Sequence, residues 1–532
     1  MKLSVAERAL QATSIVQFME SAAEHYAGEQ AFVCGSMQLG YTEFATQASA
    51  LASYLQSTGV KKGDRVALML PNLPAFPIAT LGILKSGAVQ VNINPMYTAT
   101  ELEHQLNDAG AETLIVFAGT SAAYGAIKDN CSVQRVIVVS VGDGTGMVTP
   151  TPEVDASITE FVPFADAIAQ GTSMTFKPVS IDLDDLALLQ YTGGTTGPSK
   201  GAMLTHGNVL SNIAQCYAII PDITREREEV VVTAIPMYHI FAFTVNFLLY
   251  AGCGSRNVMI TNPRDMDNFI SAIKDSGFTV ITGVNTLFAG MMMHPDFVNV
   301  DFSRLAASIN GGTAALEATS DKWQGITGLP LIQGYGLSET SPVLTLAEAS
   351  LRTFTGKVGR ALANTDIKLL DDSDLEVPTG ERGELVAKGP QVTAGYYNRP
   401  DANSTAFTSD GYFRTGDIAI VDEHGNYQIV DRKKDMIIVS GFNVYPNDVE
   451  QVAARCEGLI ECACVGIPDA VTGESVKLFA VKEADKNVTA DEIIAHCSEH
   501  LTAYKVPKTV AFIDELPKSA VGKMLRRVLR DM

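Results

Sequence analysis

Eleven residues near the middle of the chain, Tyr191-Thr-Gly-Gly-Thr-Thr-Gly-Pro-Ser-Lys-Gly201, carry the residue types needed to hold a polyphosphate. Glycines let successive N–H groups turn towards one point, hydroxyls add donors, and Lys200 supplies a mobile positive charge. The spacing is not the G-x-x-x-x-G-K-[ST] phosphate loop. Lys200 follows Pro198-Ser199, and Gly201 stands where a magnesium-binding hydroxyl would be. A P-loop NTPase is therefore disfavoured. A Gly/Ser/Thr stretch taken alone also describes a surface linker.

Further along, Leu331-Ile-Gln-Gly-Tyr-Gly-Leu-Ser-Glu-Thr340 adds groups that suit a magnesium nucleotide. Tyr335, between Gly334 and Gly336, can lie flat against a base, and Ser338 can bond a phosphate. Glu339 is a hard carboxylate suited to magnesium, and burying it with no cation nearby would be costly. Asp410-Gly-Tyr-Phe-Arg-Thr-Gly-Asp417 places Asp417 after a glycine turn. Its carboxylate can take both hydroxyls of a ribose or simply cap the turn. Ser308-Ile-Asn-Gly-Gly-Thr-Ala314 reads as a strand ending in two glycines, where a flat ring can approach the backbone or the chain can merely turn. Ile235-Pro-Met-Tyr-His-Ile-Phe-Ala-Phe243 leads into an uncharged helix with His239 at its entrance. Such a helix lines an apolar pocket or sits in a core.

These segments need a scaffold, and 532 residues allow two or more domains. Strands at Arg65–Leu70, Val89–Asn92, Thr113–Phe117 and Arg135–Val139 alternate with helices at Ala75–Ser86 and Ala99–Ala109, the latter capped by Thr98. That alternation predicts an α/β fold with mainly parallel sheets covered by helices. Residues 141–180 are weakly patterned and read as a loop. Residues 355–430 hold short strand patterns and turns, as in a small β-barrel or sheet. Residues 436–532 read as a small α+β domain. A net charge of −21 disfavours nucleic acid as a partner. Eight scattered cysteines suit a reducing cytosol, and Cys462 and Cys464 read as one face of a strand rather than a zinc site. The opening Met-Lys-Leu-Ser-Val-Ala-Glu-Arg lacks the apolar core of a signal peptide. Val230–Ser255 has no charged residue, yet Pro236, Tyr238, His239 and Asn246 argue for a buried strand, a loop and an apolar helix over a membrane span.

Tyr191–Lys200 resembles the signature loop of the adenylate-forming superfamily, which comprises acyl-CoA synthetases, luciferases and carrier-protein adenylation domains. Tyr335–Glu339, Thr415–Asp417, Asp431-Arg-Lys-Lys-Asp435 and Pro517-Lys-Ser-Ala-Val-Gly-Lys523 follow in the order of that family. The resemblance covers nearly the whole chain and looks closest to the bacterial long-chain fatty acyl-CoA synthetases. It implies a large N-terminal domain over 1–432, including a β subdomain at about 355–430, and a mobile C-terminal domain over 433–532.

The resemblance also implies roles. Thr192, Gly193, Gly194, Thr195, Thr196, Gly197 and Lys200 would surround the β- and γ-phosphates of ATP, with Thr192 and Glu339 at Mg2+. Gly311, Gly312, Gln333, Gly334, Tyr335, Gly336 and Ser338 would hold adenine, the α-phosphate and the acyl head. Asp417 and Arg432 would meet the ribose, Lys434 would be the hinge, and Ser440-Gly441 would flank the path of coenzyme A. Lys523 would be the catalytic lysine. His239, Phe243, Val284, Gly312 and Gly334 would line the acid pocket. The reaction implied is AMP-forming ligation of a fatty acid to coenzyme A in the cytoplasm. Peripheral contact with a membrane and homodimerisation are compatible with this reading. A ligase for short functionalised or aryl acids and a non-catalytic acyl or nucleotide sensor are the competing readings. Two departures stand out: Ser338 replaces the usual Thr, and Tyr412 or Tyr397 stands where that family often has Trp. The only Trp is Trp323, which leaves the gate of the acid channel open.

Overall fold

The computed structural model describes residues 3–192, 199–483, 486–519 and 524–532. Among them, seven strands form one sheet in the order Val162–Pro163, Arg135–Val139, Thr113–Phe117, Arg65–Met69, Val89–Asn92, Leu186–Thr192 and Lys200–Thr205. All neighbours are parallel except the last pair, an antiparallel hairpin. A second sheet of nine strands has a parallel centre, from Leu331–Gly336 through Ala307–Asn310, Val280–Gly283, Val230–Thr233 and Arg256–Met259 to Gln30–Cys34. Antiparallel strands close both of its edges.

One core joins the two sheets. It contains Leu68, Ile115 and Leu188 from the first, Phe32 and Val231 from the second, and the helices Tyr41–Ser57 and Ala75–Lys85 between them. Ala75–Lys85 is buried from Ala75 to Leu84, as expected of a helix that is apolar on every side. Gly82 lets it approach its partner closely, since a Cβ there would lie 2.9 Å from Leu51 Cδ2 and 3.0 Å from the Ala48 carbonyl. Side chains alternate across each strand, so Val230 and Val232 enter a separate core with Phe269, Ile270 and Trp323. In the same way, Ala67 and Met69 meet Leu102 and Leu106 of the helix Ala99–Ala109. That helix begins at a Thr98–Glu101 capping box and ends at Gly110, whose φ is +63°.

Residues 141–180 are not all loop. Phe164–Thr172 is a helix against Tyr41–Ser57, and a Cβ on Gly171 would lie 1.9 Å from the Ala50 carbonyl oxygen. The charge-free segment is the strand Val230–Thr233, a loop and the buried apolar helical pieces Ala242–Leu249 and Tyr250–Gly252, with Pro236, His239 and Phe241 before them only half-buried. Among the described residues no helix is long and apolar enough to cross a membrane. The subdomain after residue 355 is an open four-stranded antiparallel sheet, Asp366–Leu370, Gly383–Lys388, Phe413–Val421 and Tyr427–Arg432, rather than a closed barrel. The C-terminal residues form a sheet around Leu459–Asp469 and Gly473–Lys482, with cores of their own.

Candidate active site

The ends of the glycine-rich segment are held together by the sheet. Thr192 and Lys200 are direct partners across the hairpin, and the Thr192 hydroxyl donates to the Lys200 carbonyl at 3.5 Å. Gly193, Gly194, Thr195, Thr196 and Gly197 lie outside the described residues. The Lys200 ammonium sits over the ring of Tyr396, 5.3 Å from its centre. The hydroxyl of the same Tyr396 donates to Glu339 Oε1 at 2.7 Å. Burial, reinforced by Glu339, pushes the Tyr396 hydroxyl above its ordinary value, so it stays protonated as a donor. Glu339 is buried at 7% exposure, and among the described residues no Lys or Arg pairs with it. A carboxylate so placed fits a hard divalent cation, which would offset its loss of water.

A second pair of groups meets on the neighbouring subdomain. The Tyr335 hydroxyl donates to Asp417 Oδ2 at 2.7 Å, and Arg432 Nε lies 3.3 Å from Asp417 Oδ1. Asp417 and Arg432 face each other across adjacent strands, so the sheet fixes their pairing. Desolvation first and the Asp417 charge second hold the Tyr335 hydroxyl well above the usual phenol value. Asp417 therefore presents a carboxylate already oriented at one oxygen.

Tyr335 and Ser338 also line a cavity, which none of Lys200, Tyr396, Glu339 and Asp417 lines. Gly311, Gly312, Gly334, Tyr335, Gly336 and Ser338 form its polar rim. His239 and Val284 line it as expected. The apolar remainder comes from Ile220, Ile235, Phe241, Val245, Ile309 and Leu346. Phe243 does not line the cavity. It is buried in the core, edge-on to Phe247 at 5.9 Å. Residues two apart on a helix point to different sides, so Phe241 and Val245 take the wall and Phe243 the core. Gln333 also stands back from the rim: its Oε1 accepts from the Ala315 N–H at 2.9 Å and steadies the turn after Gly312. Tyr412 bonds Asp366, and Tyr397 packs against the core of the first sheet; neither lines the cavity.

The model of the AMP-binding enzyme matches residues 19–397, and that of the AMP-binding enzyme C-terminal domain matches residues 448–523. The chain belongs to the AMP-binding enzyme family. A long-chain-fatty-acid–CoA ligase of Salmonella typhimurium is 46% identical, covering 97% of this chain and 94% of the relative. ATP-bound MatB from Rhodopseudomonas palustris superposes with a TM-score of 0.85 at 27% identity, over 97% of this chain and 98% of that one. An anthranilate CoA ligase in complex with anthranoyl-AMP shares the fold, with a TM-score of 0.88 at 24% identity over 97% and 96% of the two chains.

In this AMP-binding enzyme the segment joining the two matched regions is a knot of charge. Asp431 is buried and accepts the Asn447 N–H at 2.8 Å; burial pushes its carboxyl up to about 6 against the pull of Arg526. Arg526 donates to Glu450 at 2.7 Å and to Asn447 at 3.1 Å, and Arg530 donates to Asp435 at 2.8 Å. Lys434 lies in the short 3-10 turn Lys433–Asp435, and desolvation and then Arg432 hold its ammonium below the ordinary value. Ser440 and Gly441 form the two-residue turn between Ile437–Val439 and Phe442–Val444, with φ of +52° and +83°. A Cβ on Gly441 would meet open space. Cys462 and Cys464 face one core, and among the described residues no cluster could hold a metal through His, Cys, Asp and Glu alone. Lys523 lies outside the described residues. Sequence reasoning missed Tyr396, Phe241 and Arg526. Arg526 stands three residues after Lys523 among Arg527 and Arg530, a basic run that reads as solvated although the Arg526 guanidinium is buried.

Proposed function

We propose that this chain is an ATP-dependent, AMP-forming fatty acid–CoA ligase. The convergence of Lys200 and Glu339 on Tyr396, together with a Tyr335 that both bonds Asp417 and lines an apolar cavity, carries the reading. A carboxylate repels nucleophiles, so it must first be converted to a mixed anhydride by transfer of AMP from ATP. That step crowds anions together, and fixed positive groups lower its barrier. Lys200 and the segment from Thr192 would hold the β- and γ-phosphates, Asp417 and Arg432 the ribose, and Tyr335 the base. Glu339 and Thr192 would hold Mg2+, which when bound neutralises charge on the phosphates. Lys523 would bridge the acid carboxylate and the α-phosphate.

In the second step the thiol of coenzyme A attacks the acyl adenylate and AMP leaves. Residues 433–532 would rotate about Lys434, taking Lys523 away and bringing the Ser440-Gly441 turn to the site. Ile220, Ile235, Phe241, Val245 and Leu346 give the acid end an apolar lining, which favours an alkyl chain. Acid-dependent pyrophosphate release and thioester formation, compared from acetate to stearate and across aryl acids, test the proposal. Medium to long alkyl acids should be used best. Preference for aryl or short functionalised acids would replace the fatty-acid reading, and no release with any acid would point to a sensor.

A further inference from the structure

Glu339 and Lys200 carry opposite charges and share a neighbour, yet no ion pair joins them among the described residues. Tyr396 stands between. Its hydroxyl bonds one oxygen of Glu339, and its ring face carries the Lys200 ammonium. A direct pair would cancel both charges, withdrawing the carboxylate from a cation and the ammonium from a phosphate. A ring face holds an ammonium through its quadrupole and does not neutralise it.

The backbone around Tyr396 is fixed from several sides. Its N–H donates to Asn403 Oδ1 at 2.7 Å, and Asn403 Nδ2 donates back to its carbonyl at 2.9 Å. Gly395 has φ of +139°, and a Cβ there would meet the Asn403 amide at 2.8 Å, so the turn admits that amide only beside a glycine. Tyr396 bridges Ala202, and the Tyr397 N–H donates to the Gly201 carbonyl at 2.9 Å, tying the segment to the strand of Lys200. The Thr393 N–H donates to the Glu339 carbonyl at 2.7 Å, tying it to the turn of Glu339.

We propose that Tyr396 is a positioning residue that orients the Glu339 carboxylate through its hydroxyl and seats the Lys200 ammonium on its ring, keeping the two charges apart until a metal-bound polyphosphate enters between them. The proposal rests on the reading of Glu339 as a metal ligand and Lys200 as a phosphate ligand. The test compares Tyr396→Phe, Tyr396→Leu and Glu339→Gln in the full chain. It measures Mn2+ affinity in the presence of ATP by electron paramagnetic resonance, metal-free ATP affinity by calorimetry, and melting as a folding control. Tyr396→Phe should weaken Mn2+ binding about tenfold, the range of a lost bond to a charged group, and leave metal-free ATP binding within about twofold. Tyr396→Leu should weaken metal-free ATP binding as well, by about fivefold, as Lys200 loses its seat. Unchanged or tighter Mn2+ binding in Tyr396→Phe, with weakened binding in Glu339→Gln, would overturn the role of Tyr396 alone. Unchanged Mn2+ binding in Glu339→Gln would overturn the ligand reading beneath it. If Tyr396→Leu fails to fold, the Phe variant decides.

Discussion

Gly336→Ala tests whether close backbone packing positions the nucleotide groups. Gly336 has no unusual φ, so its requirement is one of space alone. A Cβ there would lie 1.8 Å from the Pro342 carbonyl oxygen and 2.7 Å from its carbon. Contact at about 3 Å is the least a real Cβ shows, so more than 1 Å of backbone movement is needed. No side chain can yield in its place. The displaced strand carries Tyr335 and leads into Ser338 and Glu339. Overpacking costs about 1–3 kcal/mol, and loss of the Tyr335–Asp417 bond about 1.5–3 kcal/mol. The sum, roughly 2.5–6 kcal/mol, is a large share of a domain's stability and predicts a melting point lower by about ten degrees. A misplacement of this size should also lower adenylation about a hundredfold. Scanning calorimetry and acid-dependent pyrophosphate release measure the two effects, with Gly441→Ala, where a Cβ meets open space, as the strained but unclashing control. Melting within about two degrees of the parent together with undiminished acid-dependent pyrophosphate release would refute the close-approach account.

Lys523→Ala should lower adenylation by about a hundredfold or more yet keep thioester formation from supplied acyl adenylate. Lys434→Pro should do the reverse, and an equal loss of both half-reactions in either variant rejects the alternation. Phe243→Ala should cost about 3–5 kcal/mol of stability in urea unfolding, whereas Phe241→Ala should alter the preferred acid with a smaller loss; equal stability effects would contradict their placement. Asp431 has a folded value of about 6, above the ordinary 3.8. Its contribution to stability is therefore full below about pH 4 and lost as pH rises through 6. The difference in unfolding free energy between parent and Asp431→Asn should shift by up to ~3 kcal/mol across that window, and a flat difference would contradict the burial of the charge.

Much of this molecule is legible in its sequence where local signals agree. Thr98, Glu101 and Gly110 mark both ends of one helix, and the strands at Val89–Asn92, Thr113–Phe117 and Arg135–Val139 fall where their apolar runs stand. The helix Phe164–Thr172 is hidden because its flanks are rich in Ser, Thr, Gly and Pro, and its stability comes from packing on a partner more than a hundred residues earlier. Phe241 and Phe243 are both aromatic in an uncharged segment, and only the phase of the helix decides which faces the cavity. Tyr396 has no motif chemistry of its own, and its partner Glu339 lies 57 residues away. Contacts of that range depend on sheet register, which no local pattern carries.

The C-terminal sheet keeps its apolar residues largely to itself. Its two cores draw on residues beyond 436, while the buried apolar patch shared with the preceding sheet is Ile418, Val430 and Tyr445. The other ties across the junction are polar, such as Arg382–Asp448 and Arg455–Glu317. The rotation proposed above would expose this patch and break both the buried Asp431–Asn447 contacts and the exposed ion pairs. Salt would screen the exposed pairs and spare the buried ones, so the salt dependence of the proposed alternation would report which of the two sets holds the junction.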